Sequence, residues 1–150
     1  MTVYPKPSKD VQPIIERLQS ADALVIVYPT WFNVPAILKG FFDRVFLPGV
    51  AFRQPHLEPE AAKELQLRDL GIVPNLTNIK KVACVTTYGS PPHIVFLAGD
   101  NGRNMIARAF VSLMAPSCTL TWLGLYDMDH QPLDARQDFI GKVRAAMESF

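Results

Sequence analysis

The sequence lacks the features that would place the protein in a membrane, on nucleic acid or outside the cell. Its apolar runs are far shorter than the roughly 20 residues that a membrane-spanning helix needs. Its formal net charge of +1 offers no basic surface to nucleic acid or to an anionic membrane. Residues 1–20 are polar, charged and interrupted by prolines, so they contain no signal-peptide core. We therefore expect a cytoplasmic protein with no nucleic-acid partner and no membrane insertion.

Cysteine is also scarce. Cys84 and Cys118 are far apart in the sequence, and we expect buried, reduced thiols rather than a disulfide framework. Asp127, Asp129 and His130 are spaced like part of a metal site, but no fourth ligand accompanies them. A solvated loop is the preferred interpretation of this cluster, and no metal is expected.

What the sequence does contain is an alternation of predicted strands and helices. Apolar, β-branched runs predict strands over 23–28, 82–87 and 119–126. Helical spacing predicts helices over about 11–20, 35–46 and 101–114, and a last helix that begins near residue 134. The expected capping residues are Asp10, Asp100 or Asn101, and Asp134 with Gln137 in a capping box. Residues 50–80 are predicted to be a polar excursion with one or two helical turns over 59–67. This alternation predicts an α/β domain in which helices cover both faces of a parallel sheet.

The stretch from Tyr28 to Phe46, YPTWFNVPAILKGFFDRVF, constrains the function most. It joins the end of a strand to a helix through a turn that carries Trp31 and Phe32. Such a loop lies at the carboxyl end of a parallel strand, where open α/β sheets bind ligands. Two rings on this loop are costly to leave in water unless they stack on a flat partner, so we predict a planar aromatic ligand. The alternative is that both rings belong to the core.

With these residues the chain resembles the flavodoxin-like NAD(P)H:quinone oxidoreductases. Their shared pattern is a proline, a variable residue, an aromatic pair and then VPAILKG-aromatic-FDRVF, found here as Pro29, Trp31-Phe32 and residues 34–46. A second signature, TT-x-G-S, occupies residues 86–90, and a Gly99-Asp100 pair opens the following helix. The likeness runs from roughly residue 22 to residue 150 and is loosest over 50–80.

The resemblance implies a flavoprotein. FAD or FMN would be bound non-covalently, with its ring held by Pro29, Thr30, Trp31, Phe32 and Asn33 on one side and by Thr86, Thr87, Tyr88, Gly89 and Ser90 on the pyrimidine side. The flavin would take a hydride from NAD(P)H and pass it, in ping-pong order, to a quinone or similar acceptor in the same space. Tyr88 and His93 are placed to donate a hydrogen bond to an acceptor oxygen.

Several of these residues have a purely structural alternative. Thr86 and Thr87 are β-branched residues at the end of a strand. Gly89 would supply only a positive φ for the turn, and His93 would be an ordinary loop histidine. Tyr88 stands where the family commonly has a second glycine, so its ring would either crowd the flavin or cover it.

The first 22 residues depart from the family. Members begin with a strand, a Ser/Gly/Asn-containing phosphate-binding loop, a helix and a second strand. This sequence has no glycine before Gly40 and no apolar strand before Ala23. The expected fold is therefore a flavodoxin-like domain over 1–150 that lacks the first β-α-β unit, with three parallel strands. In the family's order, 2-1-3-4-5, the strand at 23–28 would present a bare apolar edge. A fragment or misplaced start of a longer protein is the preferred explanation, and a short form that completes its sheet through a partner is the alternative.

Two functions follow from this interpretation. The preferred one is a flavin-dependent NAD(P)H:quinone (or similar acceptor) oxidoreductase that works as a homodimer, with its sites at the subunit interface. The alternative is a non-catalytic flavodoxin-like regulatory or ancillary subunit, or an inactive fragment, that binds flavin weakly. The residues that would decide FMN against FAD, and NADH against NADPH, lie largely in the missing unit.

Overall fold

The computed structural model describes residues 4–55 and 71–150. Its main sheet consists of three parallel strands, β1 (Ala23–Thr30), β4 (Lys81–Tyr88) and β5 (Thr119–Leu125), in the order β1-β4-β5. The region predicted to be irregular contains a second, antiparallel pair, β2 (Phe52–Arg53) and β3 (Val73–Pro74). The three-stranded parallel sheet confirms the expected α/β class.

Five helices flank the sheet in the described part of the chain: α1 (Gln12–Ser20), α2 (Ala36–Val45), α3 (Pro92–Leu97), α4 (Asn101–Asn104) and α5 (Leu133–Glu148). α4 continues without interruption as a π-helical segment, Met105–Phe110, and a 3-10 turn, Val111–Leu113. A second 3-10 turn, Met128–His130, precedes α5. No helix in the described ranges is long and apolar enough to cross a membrane. The helical turns predicted over 59–67 lie outside the described residues.

The register of the sheet brings the functional loops together. β1 pairs with β4 so that Thr30 lies opposite Tyr88 and Pro29 lies opposite Thr87. The loops that follow the two strands therefore leave the sheet side by side. β1 extends two residues beyond the predicted end at Tyr28, and Pro29 is tolerated within it because β1 lies at the edge of the three-stranded sheet.

The core lies between one face of the sheet, the helices α1 and α2, and the π-helical and 3-10 segments that continue α4. Phe42 of α2 is buried at its centre, with its ring centroid 5.3 Å from that of Phe46 and 4.2 Å from that of Phe110. The helical spacing of aromatic residues after Pro35 predicted this buried face. α5 contacts β5 but has no buried residue and adds none to this cluster.

None of the predicted cap residues makes a side-chain capping hydrogen bond, and only Asp100 occupies an N-cap position. α1 begins at Gln12, and the Asp10 carboxylate instead pairs with Arg44 of α2, which lowers the pKa of Asp10. α5 begins at Leu133, so Asp134 lies inside the first turn and accepts a hydrogen bond only from the adjacent Ala135 N–H. Asp100 occupies the N-cap position of α4 as predicted, but its side chain makes no capping hydrogen bond and accepts one from Tyr88 instead.

Candidate functional site

A cavity of about 230 Å³ opens at the carboxyl ends of β1 and β4. Three segments form its walls: the loop after β1, the loop after β4 and the turn between α3 and α4. The lining residues are Thr30, Trp31, Phe32, Asn33, Tyr88, Gly89, Ser90, Ile94, Val95, Ala98, Asp100, Asn101 and Gly102. The structure thus brings together the two predicted loops and adds a third wall that was not predicted.

Trp31 and Phe32 extend from the rim of this cavity into solvent. Their side chains are 83% and 105% exposed, so neither ring belongs to the core. Leaving a large apolar side chain in water forgoes about 1.5–3 kcal/mol of burial free energy. A flat ligand in the cavity would recover part of that free energy by covering the rings.

Three of the predicted ligand residues support the cavity without lining it. Thr86 is buried beneath the floor, where its hydroxyl hydrogen-bonds that of Thr30 at 2.8 Å. Pro29 and Thr87 pair with each other, and strand alternation directs both side chains to the opposite face of the sheet. Thr86 therefore fixes the end of β1, whereas Pro29 and Thr87 contribute backbone only.

Tyr88 lines the cavity, although its side chain is almost fully buried in the protein. Its ring is buried and stacks on that of Tyr126, with centroids 4.5 Å apart and planes 3° from parallel. Gly124 makes room for this pair, since a Cβ there would lie 3.0 Å from the Tyr88 ring and 3.1 Å from the Tyr126 ring. The Tyr88 hydroxyl donates to Asp100 Oδ1 at 3.1 Å. Burial, with the Asp100 charge as a second cause, raises the pKa of Tyr88, so the phenol is a neutral donor.

His93 does not line the cavity. It is exposed in the first turn of α3, a helix that sequence reasoning missed because the short apolar run after Pro91-Pro92 has no clear period. Gly89 lines the cavity but does not have a positive φ, so the turn-glycine alternative is wrong. The positive φ in this region occurs instead at Gly99 and Asp100.

The third wall depends on Gly102. A Cβ at this position would lie 3.2 Å from Asn33 Oδ1 and 3.3 Å from Val34 Cγ1, so a larger residue would push α4 and the loop after β1 apart by a few tenths of an ångström. The Gly99-Asp100 signature marks this wall in the sequence, although it does not reveal which of the following residues face the cavity.

The Asp127–His130 segment is a solvent-facing turn. His130 Nδ1 lies 2.8 Å from Asp127 Oδ1, and this hydrogen bond raises the pKa of His130. In residues 4–55 and 71–150, no group of three or more His, Cys, Asp or Glu side chains is arranged to hold a metal ion.

Comparison with known proteins places the chain among flavodoxin-like folds. A sequence profile of the family described as "Flavodoxin-like fold" matches residues 2–148. The NAD(P)H dehydrogenase [quinone] 1 of Cavia porcellus is 29% identical over 147 residues, which are 95% of this chain and 48% of that protein. The protein of the same name from Rattus norvegicus is 31% identical over 133 residues, 86% of this chain and 44% of that protein. The chain thus spans less than half the length of these relatives.

Solved structures share the fold at lower sequence identity. Smu.1420 from Streptococcus mutans superposes with a TM-score of 0.77 at 21% identity, over 95% of this chain and 68% of that one. An NAD(P)H:quinone oxidoreductase from Methanothermobacter marburgensis superposes with a TM-score of 0.70 at 23% identity, over 95% of this chain and 65% of that one. An FMN-dependent NADH-azoreductase from Bacillus anthracis, solved with FMN, superposes with a TM-score of 0.66 at 17% identity, over 96% of this chain and 66% of that one.

Proposed function

The chain belongs to the flavodoxin-like family of NAD(P)H:quinone oxidoreductases, and we propose that it binds a flavin and catalyses hydride transfer from NAD(P)H to a quinone-like acceptor. The observation that carries the proposal is the cavity at the ends of β1 and β4, flanked by the exposed rings of Trp31 and Phe32. The names of the curated relatives and the FMN dependence of a structural neighbour support it.

The described residues fit the ring of a flavin. Two aromatic side chains lie at the rim, and Gly89 and Gly102 are among the residues that line the walls. Thr30, Asn33, Ser90 and Asn101 add neutral polar groups and Asp100 adds a carboxylate, while the rest of the lining is largely apolar. FMN or FAD would be held here without a covalent bond, and when bound it would supply a hydride carrier between NAD(P)H and the acceptor.

The side chains have separate tasks in this proposal. Trp31 and Phe32 cover the ligand and exclude water, while the Thr30–Thr86 hydrogen bond fixes the strand end that carries them. Tyr88 has its hydroxyl engaged by Asp100, so donating to an acceptor oxygen would require an exchange of that bond. His93 would reach the acceptor only across the rim from outside the lining. Both assignments as acceptor hydrogen-bond donors stay predictions.

We further propose a cytoplasmic homodimer with its sites at the subunit interface. Trp31, Phe32 and the neighbouring Ile37 are strongly exposed beside the cavity, and a second subunit would cover such a patch. One cavity open on this side also suits donor and acceptor entering in turn, as a ping-pong mechanism requires.

A visible spectrum of the purified 150-residue chain, recorded after mixing with FMN or FAD and desalting, tests the proposal. We expect flavin absorption in near-stoichiometric amount and NAD(P)H oxidation that depends on an added quinone. A protein that stays colourless with both flavins would contradict the proposal and favour the non-catalytic alternative. Flavin retention without NAD(P)H oxidation would favour a regulatory flavoprotein.

A further inference from the structure

One side chain in the cavity wall carries a formal charge. Among the lining residues that the structure describes, Asp100 is the only acidic residue, and none is basic. Its backbone is left-handed, with φ 39° and ψ 51°, a conformation that is unfavourable for a non-glycine residue and that Asp tolerates better than most. The chain thus holds a carboxylate at this point in spite of a backbone cost.

Asp100 is fixed in place from several sides. Its Oδ1 accepts the Tyr88 hydroxyl, its N–H donates to Val95 O at 3.1 Å, and its carbonyl accepts the Asn104 N–H at 3.0 Å. The Tyr88 ring is itself held by Tyr126 above Gly124. In the described part of the chain Asp100 forms no ion pair, and the nearby Arg103 guanidinium lies over the Trp122 ring instead. The negative charge is therefore fixed and not neutralised by a neighbouring cation.

We infer that Asp100 tunes the redox preference of the cavity, an inference that rests on the proposed flavin. A hydride adds two electrons and one proton to a neutral oxidised flavin ring, so the reduced form is a monoanion. A fixed carboxylate in the wall repels that anion more than the neutral oxidised ring. Asp100 thus weakens binding of the reduced form relative to the oxidised form, lowers the midpoint potential and favours hydride delivery to the acceptor. The Tyr88 hydroxyl donates to this carboxylate, but the backbone bonds to Val95 and Asn104 keep Asp100 in the wall without it.

Matched variants separate the charge from the hydrogen bond. Asp100→Asn removes the charge and keeps an oxygen that can accept from Tyr88, whereas Tyr88→Phe removes the hydrogen bond and keeps the charge. Asp129→Asn is the control, because Asp129 is an exposed carboxylate near Gly89 that does not line the cavity. Dissociation constants for oxidised and reduced FMN, measured anaerobically, and the midpoint potential by dye equilibration are the readouts.

For Asp100→Asn we expect the ratio of the reduced to the oxidised dissociation constant to fall about three- to tenfold. A tenfold fall corresponds to a rise of about 30 mV in the two-electron potential. Tyr88→Phe should weaken the binding of oxidised and reduced FMN by similar factors. Asp129→Asn should leave the ratio of the two dissociation constants within about twofold of the wild-type ratio, because exposed charges are screened. Asp100→Gly is the second uncharged variant. Glycine suits the left-handed backbone, so this variant should fold and show the same shift as Asp100→Asn.

An unchanged ratio in both uncharged variants, with flavin still bound, would overturn this inference and leave the proposed function intact. An equal shift in Tyr88→Phe would also overturn it, since geometry rather than charge would then be responsible. Failure of the wild-type chain to bind either flavin would remove both the inference and the proposed function.

Discussion

The carboxyl end of the sheet and its β1 edge are built in opposite ways. At the carboxyl end, polar groups from distant segments bond one another, as Thr30 does with Thr86 and Tyr88 with Asp100. Along the edge, the side chains of Val25 and Val27 are 46% and 73% exposed, and a groove of about 520 Å³ lined partly by Leu24 and Phe41 runs beside them. In the described residues β1 pairs with β4 alone. The ring site lies at one end of β1 and is not lined by Val25 or Val27, so the two regions should respond to different substitutions.

The largest effect is expected at Gly124, which packs tightly against the ring of the lining residue Tyr88. Gly124→Ala would place a methyl group 3.0 Å from the Tyr88 ring and 3.1 Å from the Tyr126 ring, and overpacking of this kind costs about 1–3 kcal/mol. Urea unfolding would measure the loss of stability, and flavin binding should weaken with it because the Tyr88–Asp100 bond shifts.

Gly141→Ala is the matched control, because a Cβ at Gly141 of α5 meets nothing within 4 Å. This variant should gain up to about 1 kcal/mol from helix propensity. Equal stabilities of the two alanine variants would contradict the role of Gly124 as the space that the ring pair occupies.

A smaller effect is expected at the sheet edge. An unpaired apolar edge strand is a template for association with another chain, and a lysine on it opposes such pairing. Val27→Lys should reduce concentration-dependent self-association in light scattering while changing the free energy of unfolding by less than about 1 kcal/mol. Loss of flavin binding in this variant would show that the edge and the ring site are coupled, and would contradict the claim that they respond to different substitutions.

The smallest effect is expected for the ion pair between Asp10 and Arg44, which lies in neither region. The hydrogen bond from Arg44 lowers the pKa of Asp10 below its usual value of 3.8. A carboxyl whose folded pKa is depressed stabilises the fold above its unfolded pKa, and this contribution is lost as pH falls through the folded pKa. Wild type should therefore lose slightly more stability than Asp10→Asn on acidification from about pH 5 to pH 2. Parallel pH profiles would contradict the assignment.

The strands and the ring loops were predictable because their signals are local. The apolar run before Pro29 and the β-branched run before Tyr88 each indicate a strand, and parallel pairing then places both following loops at one end of the sheet. Period-2 alternation would also have separated Thr86, which bonds Thr30, from Thr87 on the opposite face.

The third wall was not predictable because its contacts join distant segments. Tyr88, Asp100 and Gly124 come from three separate elements, and the fit of the Tyr88 ring depends on a missing side chain 36 residues away in β5. The prediction of Asp10 as a cap failed for a similar reason, because the carboxylate pairs with Arg44, a residue of a distant segment that no local signal reveals.

Titration of the purified chain with FMN and with FAD, followed by flavin fluorescence, tests the central claim most directly when Trp31→Ala/Phe32→Ala is compared with Phe96→Ala. All three side chains are strongly exposed, but Phe96 does not line the cavity. The account predicts that the double variant keeps its stability and loses about tenfold or more in flavin affinity, as expected for the loss of two stacking rings. Phe96→Ala should match the wild type. Equal affinities in the double variant and the wild type would contradict the account.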